Sequence, residues 1–209
     1  MTDPLGLAPP AKPSGLRRHA RLAASLPPAA DLVLLGDSLA AGWPAARLPA
    51  ASFNFGLPGD RIETTRWRLR RVDLAALHPR AALLWVGTNN LGDGDPVAAI
   101  LAGLAALAEE LHGLWPGATL VMATLPWRAP LPGRPVADRN AVNHGIAGLA
   151  REGRLLDAAG LLGGEAGAAR ALLADRLHVS EAGYARLGSA LAGLLGDGAR
   201  GPAQPPASG

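Results

Sequence analysis

Apolar and polar positions along this chain fall into alternating blocks. Three runs are apolar almost without interruption: residues 31–36 (DLVLLG), 81–87 (AALLWVG) and 118–125 (ATLVMATL). Each is short and reads as a strand buried on both faces. Residues 51–56 (ASFNFG) form a shorter second strand, and residues 154–159 (RLLDAA) a weaker fifth. Between the strands, helical patterning predicts helices over 16–26, 61–77, 96–114, 136–153 and 180–195. Pro96 falls in the first turn of its helix, where a missing N–H costs nothing.

Continuous apolar strands separated by helices imply a parallel sheet covered on both faces. Right-handed crossovers then give an α/β fold, a three-layer α/β/α sandwich on a five-stranded parallel sheet. No internal repeat or linker divides the middle, and 209 residues suit one domain. Residues 1–15 are rich in proline and 196–209 in glycine and proline, so both ends are expected to be poorly ordered tails around a single domain at 16–195.

Composition narrows the chemistry. At 49% apolar residues the chain is globular rather than disordered. It has no cysteine, which excludes disulfides and thiolate metal sites, and its five histidines lack ligand spacing such as H-E-x-x-H. Lys12 is the sole lysine, and the net charge is +3. No segment approaches the ~20 apolar residues of a membrane span. The N-terminus has prolines where a signal peptide needs an apolar run, so a cytoplasmic location is expected. The run Arg66, Arg68, Arg70 and Arg71 has the look of a phosphate-binding stripe. Aromatic residues are only 4% and no RNA-binding block accompanies it, so no nucleic-acid partner is expected. The run reads instead as a solvated helix face or a subunit contact, which leaves a homodimer open.

In open parallel sheets, sites form beyond the carboxyl ends of the strands, near the switch point in strand order. Strand one ends at Gly36-Asp37-Ser38, strand two runs into NFGLPGDR (54–61), and strand three ends in VGTNN (86–90). DRLHVSEAGY (175–184) precedes the last helix. Ser38 has two readings. It caps the helix that starts at Leu39, or it is a nucleophile. Asp37 reads as a hydrogen-bonding residue of the turn. The loops together supply a serine, glycine amides, an asparagine amide, and an aspartate three residues before a histidine. Acyl transfer needs that inventory: a nucleophile, oxyanion donors, and a base oriented by a carboxylate. There is no G-x-S-x-G elbow. His19, His78, His112 and His144 read as surface or packing residues and Trp85 as core. Trp43 and Trp127 follow strand ends and are candidates to line a pocket.

Four blocks in this order, GDSL (36–39), NFGLPGDR (54–61), WVGTNN (85–90) and DRLH (175–178), resemble those of the SGNH (GDSL-type) hydrolases. The chain is most similar to the branch of the intracellular platelet-activating-factor acetylhydrolase catalytic subunits and their bacterial relatives. The superfamily pattern Gly-x-Asn-Asp is replaced at its last position by Asn90, as in that branch. The resemblance implies a flavodoxin-like fold and places Ser38 as nucleophile, His178 as general base and Asp175 as its orienting partner. It implies an oxyanion hole formed by the backbone N–H groups of Ser38 and Gly59 and the side chain of Asn89. It also implies an acyl pocket walled by Leu39, Thr88 and Leu177.

The expected function is that of a serine esterase removing a short acyl group, in the first place acetyl, from an oxygen ester of a small molecule. This chemistry requires no metal and no cofactor. The same machinery serves an O-acetyltransferase or a carbohydrate deacetylase. A reading from another class is a catalytically silent interaction subunit on the same fold, against which the intact Ser38, Asn89, Asp175 and His178 argue.

Overall fold

A computed structural model of the protein describes residues 5–129, 136–150 and 154–196. Residues 1–4 and 197–209 of the expected tails, and the last three residues of the helix expected at 136–153, lie outside the described residues. Five strands form one sheet: β1 (Leu32–Gly36), β2 (Ser52–Asn54), β3 (Ala81–Trp85), β4 (Thr119–Ala123) and β5 (Leu155–Leu156). Their order is β2-β1-β3-β4-β5 and every pairing is parallel. Order reverses between β1 and β3, where Leu32 lies beside Ala81 and Gly36 beside Trp85. Every residue of β1 and β3 is buried, as their unbroken apolar runs require.

Helices cover the sheet in two layers. α5 (Val97–Leu114) packs against both α3 (Ile62–Leu69) and α6 (Val136–Leu149). α9 (Glu181–Gly196) packs on β5 and gathers α7 (Ala158–Leu161) and α8 (Gly164–Ala171) beside it. α1 (Pro13–Ala24) leads into β1, α2 (Ser38–Ala41) follows it, and α4 (Thr88–Asp93) follows β3. Contrary to the sequence expectation, α5 is long and apolar enough, by length and composition alone, to cross a membrane, the one such helix among the described residues. In the fold it is a covering helix, with Ile100, Leu104, Leu107 and Leu111 in one buried stripe.

Several elements differ from the sequence expectation. β2 and β5 are three and two residues long, because edge positions pair on one side only. The helix expected over 61–77 stops at Leu69. Beyond it the Leu74 N–H turns back to the Val72 carbonyl, and the Leu74 carbonyl accepts both from the Leu77 N–H at 3.2 Å and from the Trp115 indole at 3.0 Å. A short 3₁₀ turn at Ala75–Leu77 then delivers the chain to β3. α1 begins at Pro13. Ahead of it Leu5 packs on the core, and the Ala8 N–H reaches the Glu63 carbonyl.

The arginine run is only half solvated: Arg70 and Arg71, past the end of α3, are exposed, whereas Arg66 and Arg68 within it are buried. Arg66 is buried and bonds Glu110, which Arg70 shares. Arg68 is wholly enclosed. Arg71 stacks on Trp67 at 3.9 Å.

Candidate active site

The end of β1 is shaped by Gly36, whose φ is +144° and where a Cβ would lie 1.8 Å from the Trp85 carbonyl oxygen. Only glycine permits that turn. The next residue, Asp37, is fully buried and caps α2: its Oδ1 accepts from the Leu39 N–H at 2.9 Å. Capping therefore falls to Asp37, and the Ser38 hydroxyl is left for another partner. Burial pushes the Asp37 carboxyl up to about 7, against the opposing pull of the Leu39 N–H.

That partner is His178, whose Nε2 lies 3.0 Å from Ser38 Oγ across 140 residues of sequence. His178 Nδ1 lies 2.6 Å from Asp175 Oδ2. A carboxylate only accepts, so Nδ1 carries the proton and Nε2 presents its lone pair to the serine hydroxyl. Asp175 Oδ1 accepts from the N–H groups of Leu177 and His178, both at 3.0 Å. These contacts, the histidine ring first, hold the Asp175 carboxyl at about 2 although it is largely solvent-facing. The loop that carries the pair is tied at its base, where the Leu173 N–H donates to the His178 carbonyl at 2.7 Å. It turns sharply at Arg176, whose φ is +56°.

Two further loops carry the other candidate donors. Gly59 has φ +85° and no atom within 4 Å of a Cβ position, so its backbone faces open space and needs glycine for its dihedral. Neither the Gly59 N–H nor the Ser38 N–H has a partner among the described residues. Asn89, in the first turn of α4, donates one amide hydrogen to the Asp60 carbonyl at 2.7 Å and keeps a second. Each of these groups keeps an N–H to donate, a set that suits a developing oxyanion.

Asn90, beside it, is fully buried. Its Oδ1 accepts from the Ile62 N–H at 3.0 Å, and its Nδ2 donates to Glu63 and Asp95 at 3.0 and 2.8 Å. Arg61 pairs with Glu63, Asp93 and Asp95 around the same point. An aspartate at position 90 would set a third carboxylate against Glu63 and Asp95, whereas the amide donates to both.

Ser38 and His178 open into a cleft of about 760 Å³ walled by Gly42, Trp43, Pro58, Leu173, Val179 and Tyr184, with Arg18 and Leu22 of α1 at its side. Trp43 lines the cleft, as expected. Trp127 is buried and does not line it; the Arg176 guanidinium stands over its ring at 5.0 Å. Leu39, Thr88 and Leu177 are not among the walls of this cleft: Leu39 and Thr88 are buried, and Leu177 is half-buried next to His178.

Two other residues at the site had no role assigned from the sequence, although Asn54 opens the second block. Asn54 donates to the Ala40 carbonyl at 2.8 Å and accepts from the Gly56 N–H at 2.9 Å, which fastens the second block to α2. Arg128, after β4, donates to the Thr88 carbonyl at 3.0 Å behind Asn89. Their places, Asn54 at the end of β2 and Arg128 in the loop after β4, are the signal that could have marked them. Among the described residues no group of three or more His, Asp or Glu side chains is placed to hold a metal ion.

Comparison with known proteins agrees with this geometry. The profile of the GDSL-like Lipase/Acylhydrolase family matches residues 34–186. The alpha1 subunit of platelet-activating factor acetylhydrolase IB from Pongo abelii is 30% identical over 177 residues, covering 79% of this chain and 75% of that protein. The alpha2 subunit from Bos taurus is 26% identical over 168 residues, covering 75% and 72%. Among solved structures, a GDSL-like lipase from Bacteroides thetaiotaomicron superposes with a TM-score of 0.71 at 17% identity, covering 87% of this chain and 97% of that one. An acetylxylan esterase from Geobacillus stearothermophilus superposes with a TM-score of 0.61 at 18% identity, covering 82% and 97%.

Proposed function

The chain belongs to the GDSL-like lipase/acylhydrolase family, and on that premise we propose that it is a serine esterase that hydrolyses short-chain acyl esters, acetyl foremost, with Ser38 as nucleophile. The observation that carries this reading is the relay from Ser38 Oγ to His178 Nε2 at 3.0 Å and from His178 Nδ1 to Asp175 at 2.6 Å. The serine hydroxyl is a weak nucleophile until a base takes its proton. His178 takes that proton as Ser38 Oγ attacks the ester carbonyl. The carbonyl oxygen becomes an oxyanion among the Ser38 N–H, the Gly59 N–H and the Asn89 amide. The intermediate collapses and His178 returns the proton to the departing alcohol. A water then enters, gives its proton to His178 and attacks the acyl-serine, and the acid leaves as Ser38 recovers its hydrogen. Asp175 keeps the imidazole in the tautomer that accepts at Nε2 and stabilises the imidazolium.

The acetyl preference rests on the resemblance to the acetylhydrolase subunits, at 26–30% identity. The test is turnover of p-nitrophenyl acetate with labelling by an organophosphate. Ser38→Ala should lose labelling and several orders of magnitude of turnover while its circular dichroism spectrum stays that of wild type. Wild-type turnover in a folded Ser38→Ala protein would refute the reading.

A further inference from the structure

Arg68 lies in the core, where an arginine is rare unless paired. Its guanidinium and the carboxylate of Asp60 are both completely enclosed and 2.5 Å apart. A second nitrogen donates to the Phe55 carbonyl at 2.7 Å. The third, Nε, donates to His19 Nδ1 of α1 at 3.3 Å, and the guanidinium lies 4.1 Å from the centre of the Phe55 ring. A buried ion pair is often no better for stability than apolar residues of the same volume, so its value here is sought in what it holds still.

It holds the segment from Phe55 to Asp60 at both ends. That segment contains Gly59. Its last residue, Asp60, also bonds the third oxyanion donor, since the Asp60 carbonyl accepts from Asn89 Nδ2 at 2.7 Å. The Asp60 N–H is itself tied to the Leu57 carbonyl at 3.0 Å. One residue thus borders the Gly59 donor and aims the Asn89 donor, and its side chain is fixed from below by Arg68.

We propose that Arg68 is a positioning residue for the oxyanion hole, acting through Asp60 on Gly59 and Asn89; the inference rests on the esterase reading above. The planar guanidinium serves Asp60, Phe55 and His19 in one fixed geometry. A lysine ammonium keeps the charge but not the fork. A displacement of about 1 Å at such a site costs up to roughly 10²-fold in rate. The loss appears in kcat, because the donors act on the transition state and not on the bound ester.

The experiment compares wild type, Arg68→Lys, the charge-free pair Asp60→Asn/Arg68→Met, and Asn89→Ala, each checked for folding by circular dichroism and assayed well below its own Tm. Turnover of p-nitrophenyl acetate gives kcat and KM. The rate of Ser38 phosphonylation by a fluorophosphonate reports the same donors without deacylation. Arg68→Lys should lose about 10- to 10²-fold in kcat, with KM nearly unchanged and phosphonylation slowed in parallel. The charge-free pair keeps the proposal testable if Arg68→Lys does not fold: it leaves no buried charge unpaired, and it should show the same kcat defect. Wild-type kcat in either folded variant overturns the proposal, as does a rise in KM at constant kcat. If Asn89→Ala is impaired while the Arg68 variants are not, positioning alone is wrong. If Asn89→Ala is as active as wild type, the esterase site itself is misassigned.

Discussion

Asp175→Asn is the sharpest perturbation of the proposed relay, because the structure dictates which way the new amide must face. Asp175 Oδ1 accepts from two backbone N–H groups, those of Leu177 and His178. An asparagine keeps those bonds only with its oxygen at that position. Its NH₂ then takes the place of Oδ2 and points at His178 Nδ1. An NH₂ donates, so Nδ1 must accept and the imidazole proton moves to Nε2. Ser38 Oγ then faces an N–H donor, and the base is lost although the loop is intact. In triads with a buried aspartate this change costs about 10⁴ in kcat. Here the His178 and Asp175 side chains are 39% and 49% exposed. Water can stabilise the productive tautomer, so the loss should be smaller, about 10²–10³, or roughly 3–4 kcal/mol of barrier. The assay is p-nitrophenyl acetate turnover beside a thermal melt. The expected result is a fall in kcat at nearly constant Tm. Wild-type kcat in the variant would refute the tautomer argument, and a collapse of Tm would refute the claim that the two backbone bonds survive.

Three further outcomes follow from the site. Asn89→Ala should lower kcat by about 10²–10³-fold with KM much less affected, since one of three donors is removed; unchanged kcat with a raised KM would give Asn89 a binding role instead. Asp37 titrates near 3.8 when unfolded and at about 7 in the fold, so between those values the native state holds a proton that the unfolded chain has released. Its contribution to stability is present in full below the lower value and lost as pH rises through the upper. The Tm of Asp37→Asn relative to wild type should therefore climb steadily from about pH 4 to pH 8, and a flat difference would refute the shift. In a chain-length series of p-nitrophenyl esters, wild type should favour acetyl over octanoyl; a wild type that prefers octanoyl would end the short-acyl proposal.

What could be read from the residues depended on how local the cause was. β1, β3 and β4 announced themselves because strands buried on both faces tolerate no polar residue. Ser38, Gly59, Asn89, Asp175 and His178 sit just past strand ends or in the loop before the last helix, where the topology of a parallel sheet gathers polar loops; the structure bonds Ser38 to His178 and His178 to Asp175, and bonds Asn89 to Asp60, the residue after Gly59. α8, with the composition GEAGAARA, has no apolar stripe and gave no periodic signal. The continuation of α3 to residue 77 was wrongly expected because helical spacing persists past Leu69, while the segment beyond it is held at Leu74 by the Trp115 indole, 41 residues away. The burial of Arg68 was not legible even though its partners Asp60 and Phe55 lie only 8 and 13 residues away. An arginine that ends in the core has the same one-dimensional signature as one in water.

The bond between Ser38 and His178 joins the first strand to the turn before the last helix, and this has a consequence for how activity arises in time. A contact that closes 140 residues cannot form early on entropic grounds, because intervening loops must first be shortened by the strand pairings between them. During synthesis the serine leaves the ribosome long before its base exists. Nascent chains therefore carry an inert hydroxyl until His178 has been made and its loop has docked. In refolding, esterase activity should return as the slowest spectroscopic or catalytic signal, behind the recovery of helix and of tryptophan burial.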